Sequence, residues 1–198
     1  MTTTRSRVLS VLGAALVLGA WTYAVSPLKL STESRLWVEG TSTVRGWTCK
    51  AGVVDAAVET AVENAVPAVL GGESAVKAVT FTVPTDKMDC NNGTMNGHMW
   101  KAIKAKEYPT ITFQLGTYTI AKAADASTAT LNGMLTIGGV TKPITMETKL
   151  TPADNDAMRV AGTYELNMKD YDLKPPTLML GTMKVGEKVK VNFDLVLK

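Results

Sequence analysis

Four side chains have the types to do chemistry together: Cys49, Asp89, Cys90 and His98. Thiolates, an imidazole and a carboxylate are the ligands zinc takes, and two thiols alone make a redox pair. Structural zinc draws on closely spaced cysteine or histidine pairs, however, and here a lone cysteine stands in each place, so no metal site is expected. His98 is the only histidine, which rules out a histidine pair within one chain. No GxSxG, HExxH or phosphate-cradling glycine loop occurs either. The carboxylates are scattered among polar positions that read as solvated surface, and His98 reads as a capping or packing residue of a helix. No catalytic residue and no cofactor follows from this inventory.

What the cysteines do depends on compartment. The chain opens MTTTRSR, then runs VLSVLGAALVLGAW without a charge, with Thr22 and Ala24 as small residues at a cleavage position. That is the pattern of a secretory signal, and the apolar run is shorter than the ~20 residues a spanning helix needs. The expected division is residues 1–24 as signal peptide and residues 25–198 as one domain, periplasmic or secreted. In an oxidising compartment an even number of cysteines favours a Cys49 to Cys90 bridge, the alternative being two separate buried thiols. Removing the leader takes Arg5 and Arg7 from a total of 21 basic against 18 acidic residues, which leaves near balance and no footprint for nucleic acid.

The elements that would position any site are strands. In EYPTITF, Ile111 and Phe113 alternate with Thr110, Thr112 and Gln114, the signature of a strand with one dry and one wet side. The same alternation recurs at 131–137, 144–150, 158–168 and 188–198, and more weakly at 34–41, 47–60 and 75–83. Turn chemistry in GGVTKP, TPADND and VGEK separates the segments. About eight strands in hairpin succession, each with one apolar face, predict an all-β fold: an antiparallel sheet curled on itself, or two packed sheets. One stretch breaks the rhythm. Over 92–106, Met95, Met99, Ala102 and Ile103 recur at helical spacing, with Asn92 or Thr94 as N-cap, which predicts one short helix covering a barrel end. Residues 61–74, with Pro67, Gly71 and Gly72, and residues 170–186, with Pro175 and Pro176, read as long loops, the second apolar enough to pack on the barrel.

EYPTITF after a helix, GMLTIGGVTKPITMET, and the closing NMKDYDLKPPTLMLGTMKVGEKVKVNFDLVL together resemble the YceI-like family of exported, lipocalin-like proteins, over residues 30–198. The resemblance implies an eight-stranded antiparallel barrel with a helix, enclosing an elongated apolar cavity for a polyisoprenoid chain such as that of a quinone or a polyprenyl lipid. His98 stands where the family carries a helix histidine. The segment before the first strand departs from the family, reading SRLWVEGTSTVRGW without the usual aspartate and histidine, while WTCKAG with MDC matches a cysteine-bearing branch and strengthens the bridge.

The inward positions on the clearest strands are then the expected cavity lining: Ile111, Phe113, Leu135, Ile137, Met146, Tyr164, Leu166, Val191, Phe193 and Leu195. The partner implied is a polyisoprenoid or isoprenoid-quinone lipid, held without catalysis, with transient contact to a membrane as its source; the oligomeric state is left open, a homodimer among the options. Periodicity cannot distinguish a hollow barrel from a filled one. The rival is therefore a filled barrel acting as an exported, stress-related or interaction scaffold.

Overall fold

A computed structural model of the chain describes residues 27–123, 126–178 and 182–198. The expected signal segment, together with Met179 and Leu180 of the second loop, lies outside them. The strands are β1 (Arg35–Ser42), β2 (Gly46–Ala51), β3 (Asp55–Thr60), β4 (Val76–Pro84), β5 (Met88–Asp89), β6 (Thr110–Ala121), β7 (Ser127–Ile137), β8 (Val140–Ala153), β9 (Ala157–Asn167), β10 (Thr177–Leu178) and β11 (Met183–Leu197). Helix α1 (Ala65–Leu70) lies between β3 and β4, and α2 (Gly93–Ala102) between β5 and β6. Every pairing is antiparallel, in one sheet ordered β3-β4-β6-β7-β8-β9-β11-β1-β2-β5, with β10 on β11.

The sheet closes at both seams. Leu28 bridges Val58 of β3 and Leu30 bridges Leu197 of β11, while Lys29 and Lys198 exchange backbone hydrogen bonds of 2.8 and 3.0 Å. On the other side β5, reached from β4 through the 3-10 turn Thr85–Lys87, pairs with β2. Closure leaves few bare edges, and it turns every dry face toward one interior.

Three expectations need correction. Among the described residues the sheet has eleven strands rather than eight, because the two-residue β5 and β10 are invisible to alternation and because 47–60, read as one strand, turns a corner. At that corner the Gly52 N–H donates to Lys87 O at 2.8 Å. The stretch 61–74 is not a plain loop, since it holds α1. Pro67 sits in the first turn of that helix, where its missing N–H has no intrahelical partner to lose. Six residues make a helix with little stability of its own; burial of Ala65, Val66 and Val69 in one cluster with Leu150, Met158 and Leu197 holds it.

Elsewhere local chemistry and structure agree. The Asn92 Oδ1 accepts from the Met95 N–H at 3.0 Å and caps α2 as expected. Gly138 and Gly139, with φ of 56° and 83°, make the two-residue turn between β7 and β8. At Gly116 the β6–β7 register slips by one residue, so the inward set changes from Ile111, Phe113 and Leu115 to Tyr118 and Ile120. The core falls into two clusters. One gathers around α1; the other, containing Ile137, Leu166, Met168, Tyr171, Leu173 and Val189, packs against Ala102 and Ile103 at the α2 side.

Candidate functional site: the barrel interior

The barrel is hollow, and the second cluster forms part of the wall of the space inside it. A cavity of about 270 Å³ runs through the interior, and among the described residues no polar atom is exposed to it. Ile111 and Phe113 of β6, Leu135 and Ile137 of β7, Met146 of β8, Tyr164 and Leu166 of β9, and Val191, Phe193 and Leu195 of β11 all stand on its wall. The structure thus brings together all ten residues taken from the alternation. Their register explains it: Phe113 lies opposite Leu135, Leu131 opposite Met146, and Val191 opposite Tyr164, so inward positions neighbour one another around the sheet.

The wall is wider than the alternation suggested. Leu36 and Val38 of β1, Trp47 of β2, and Phe81 and Val83 of β4 line it too. Their signal was present, since Leu36 and Val38 alternate with Trp37 and Glu39, and Phe81 and Val83 with Thr80 and Thr82. Helix α2 contributes Met95, His98, Met99, Ala102 and Ile103, so the stripe expected to cover an end is itself lining. The stretch 170–186, read as a loop, in fact holds β10 and the start of β11; from it Leu173, Pro176 and, on β11, Val185 reach the same space.

Cys49 and Cys90 are disulfide-bonded, 41 residues apart, and both line the cavity. The bridge fastens β2 to the segment that leads into α2. Around it, the Cys90 N–H donates to Asn96 Oδ1 at 2.7 Å, Asn96 Nδ2 donates to Asp89 Oδ1 at 2.7 Å, and Trp100 Nε1 donates to Met88 O at 3.3 Å. The Asn96 amide and then the Asn91 N–H hold the Asp89 carboxyl below its ordinary range. Two of the four side chains that could have made a zinc site are thus covalently paired, and Asp89 already serves as a hydrogen-bond acceptor for α2. Among the described residues no group of three or more His, Cys, Asp or Glu is placed to hold a metal ion.

Two tyrosines stand at the α2 side of the interior. Burial, and then the charge of Asp170, pushes the Tyr164 hydroxyl above its ordinary value. Tyr171, 2% exposed, is pushed up to about 12, first by burial and then by Tyr164 and Asp170. Its hydroxyl has no hydrogen-bond partner among the described residues, in contrast to that of Tyr118, which accepts from Val76 N and donates to Val76 O at the other end. The outer surface carries the charged pairs: Arg159 Nη1 reaches both Asp194 carboxylate oxygens at 2.7 and 2.8 Å, and Lys188 meets Glu165 at 2.8 Å.

A dry barrel interior lined on one side by a helix matches a known domain. The model of the YceI-like domain matches residues 23–197. The chain belongs to the YceI-like family. Protein YceI of Escherichia coli O157:H7 is 32% identical over 107 residues, which is 50% of this chain and 54% of that protein. A UPF0312 protein of Pseudomonas aeruginosa (strain LESB58) is 28% identical over 103 residues, 48% of this chain and 52% of that protein. The chain's match thus spans about half the length of these curated relatives. Among solved structures, Burkholderia cenocepacia BcnA superposes with a TM-score of 0.65 at 19% identity, covering 82% of this chain and 95% of that one. A Saccharophagus degradans domain described as polyisoprenoid binding and implicated in plant cell wall breakdown gives 0.61 at 13% identity, covering 86% and 97%. At those identities the likeness shows the shared YceI-like barrel.

Proposed function

We propose that this YceI-like protein binds a long-chain polyisoprenoid lipid, of quinone or polyprenyl type, in its cavity, and that it sequesters or carries that lipid outside the cytoplasm without transforming it. The observation that carries the reading is the wall: it offers hydrocarbon, two sulfurs of a disulfide and thioethers, and no polar atom. Such a surface rewards burial of an apolar tail at about 0.8 kcal/mol per CH2 and gives nothing to a polar substrate. The structural neighbour described as polyisoprenoid binding supports the same class of ligand. At about 270 Å³ the resting cavity is just below the ~300–1,000 Å³ usual for ligand pockets, so a long tail must push side chains aside. Met88, Met95, Met99, Met146 and Met168 on the wall are the adaptable ones.

The test is binding of a prenyl-chain quinone to delipidated protein, followed by extraction and mass spectrometry. Leu135→Arg places a charge on the apolar wall at a desolvation cost of several kcal/mol. The folded variant is expected to lose the quinone while wild type retains it. No prenyl lipid bound by wild type, or equal binding by the two, refutes the carrier reading in favour of a scaffold.

A further inference from the structure

The interior of a small closed barrel is filled by its own side chains unless something holds them back from the axis. This one carries Trp47, Phe113 and Phe193 inward and is nevertheless hollow. The reason lies beneath the rings. Gly40 sits directly opposite Trp47 on the neighbouring strand, Gly162 directly opposite Phe193, and Gly133 one diagonal step from Phe113. All three glycines occupy inward positions, in phase with Val38, Tyr164 and Leu135. A Cβ at Gly40 would lie 2.2 Å from Trp47 Cζ2, at Gly133 2.5 Å from Phe113 Cε2, and at Gly162 2.6 Å from Phe193 Cζ. Each is closer than a real Cβ contact allows, so each ring lies down on bare backbone. A strand side chain otherwise stands roughly perpendicular to its sheet, which here means across the lumen.

We propose that these three glycine seats set the bore of the cavity and thereby select ligands by cross-section. Two of the pairs fall on the consecutive strands β9–β11–β1–β2 and the third on β6–β7, with β8 between them on the sheet, so the wall is held back along one broad arc and at one separate place. At those places the ring rests against bare backbone, the space a Cβ would otherwise take. The α2 side is the yielding one, with Met95 and Met99 on the helix and Met88 beside it. The seated rings then leave room for the methyl branches of an isoprenoid chain, and selection acts on tail width, since no polar atom of the described lining is exposed to the cavity. The inference rests on the carrier reading above.

Gly162 is the seat tested: a Cβ there would lie 2.9 Å from Glu147 O as well as against Phe193, a milder backbone approach than the 2.4 Å from a Gly133 Cβ to Gln114 O, and the double variant below separates the ring clash from the backbone one. Affinities for geranylgeraniol, which is methyl-branched, and for hexadecanol, which is not, are measured by competition with a fluorescent fatty probe. Gly162→Ala lifts the Phe193 ring into the lumen. It is expected to weaken geranylgeraniol by about 10-fold or more, the range for a methyl that no longer fits a hydrophobic pocket, and to leave hexadecanol within about 2-fold. Gly162→Ala/Phe193→Leu is expected to restore the wild-type ratio. Should Gly162→Ala not fold, Phe193→Leu alone tests the same idea by widening the bore, with geranylgeraniol retained and hexadecanol weakened. A folded variant whose ratio of the two affinities does not move overturns the inference. Wild type that binds neither alcohol overturns the carrier reading itself.

Discussion

Tyr171→Phe isolates one atom. The Tyr171 hydroxyl is buried at the α2 side of the core without a partner, and leaving such a group unpaired costs about 1–3 kcal/mol of desolvation. Deleting it also removes a few dispersion contacts, so the variant should be more stable at pH 7 by about 1 kcal/mol, or about 2–4 °C in Tm for a chain of this size. The sign reverses nowhere below pH 10. There both folded and unfolded states keep the phenol protonated. Between the unfolded value of 10 and the folded value of about 12, the unfolded state loses its proton first. Wild-type stability therefore falls as pH rises through that window, by at most about 2.7 kcal/mol for two units, and by less to the extent that solvent relieves the burial. The Phe variant lacks that portion of the slope. Urea denaturation at pH 7, and at intervals from pH 9 to 12, gives the difference directly, with other titrating groups cancelling. A variant destabilised by 1 kcal/mol or more, or one with an unchanged slope above pH 10, would show that the hydroxyl has a hydrogen-bond partner after all.

Phe113→Ala should cost about 3–5 kcal/mol by denaturant titration, because a buried ring seated on Gly133 is removed, whereas Thr112→Ala on the opposite face should cost far less; equal costs would reverse the face assignment. Cys49→Ser/Cys90→Ser should lower stability by about 4 kcal/mol, the loop-entropy value for a 41-residue separation, and reductant should then add no further loss.

The strand faces were legible because one buried side imposes strict alternation, and β6 to β9 and β11 follow it closely enough to name ten wall positions. The α2 stripe was legible as helix, but its role was not. A stripe of Met95, Met99, Ala102 and Ile103 looks the same whether it seals a core or borders a cavity. Helix α1 was hidden because its stability is tertiary, and Pro67 and the Gly71–Gly72 pair mark loops as readily as they mark a helix's first turn and end. The hollowness was hidden as well. It depends on which glycine lies across from which ring, and that register exists only once strands are paired.

The closing seam also sets an order of events. β11 follows all of its partners in the chain, yet it lies between β9 and β1 and meets the 28–30 segment through Leu197 and Lys198. Those contacts join residues some 160 positions apart, so the closures that seal the tube are among the longest in the chain and raise its contact order. Until β11 docks there is no tube, only a curved sheet with its apolar face bare. A lipid present at that moment can be wrapped rather than threaded, and a chain stalled before that moment displays the surface on which aggregation starts.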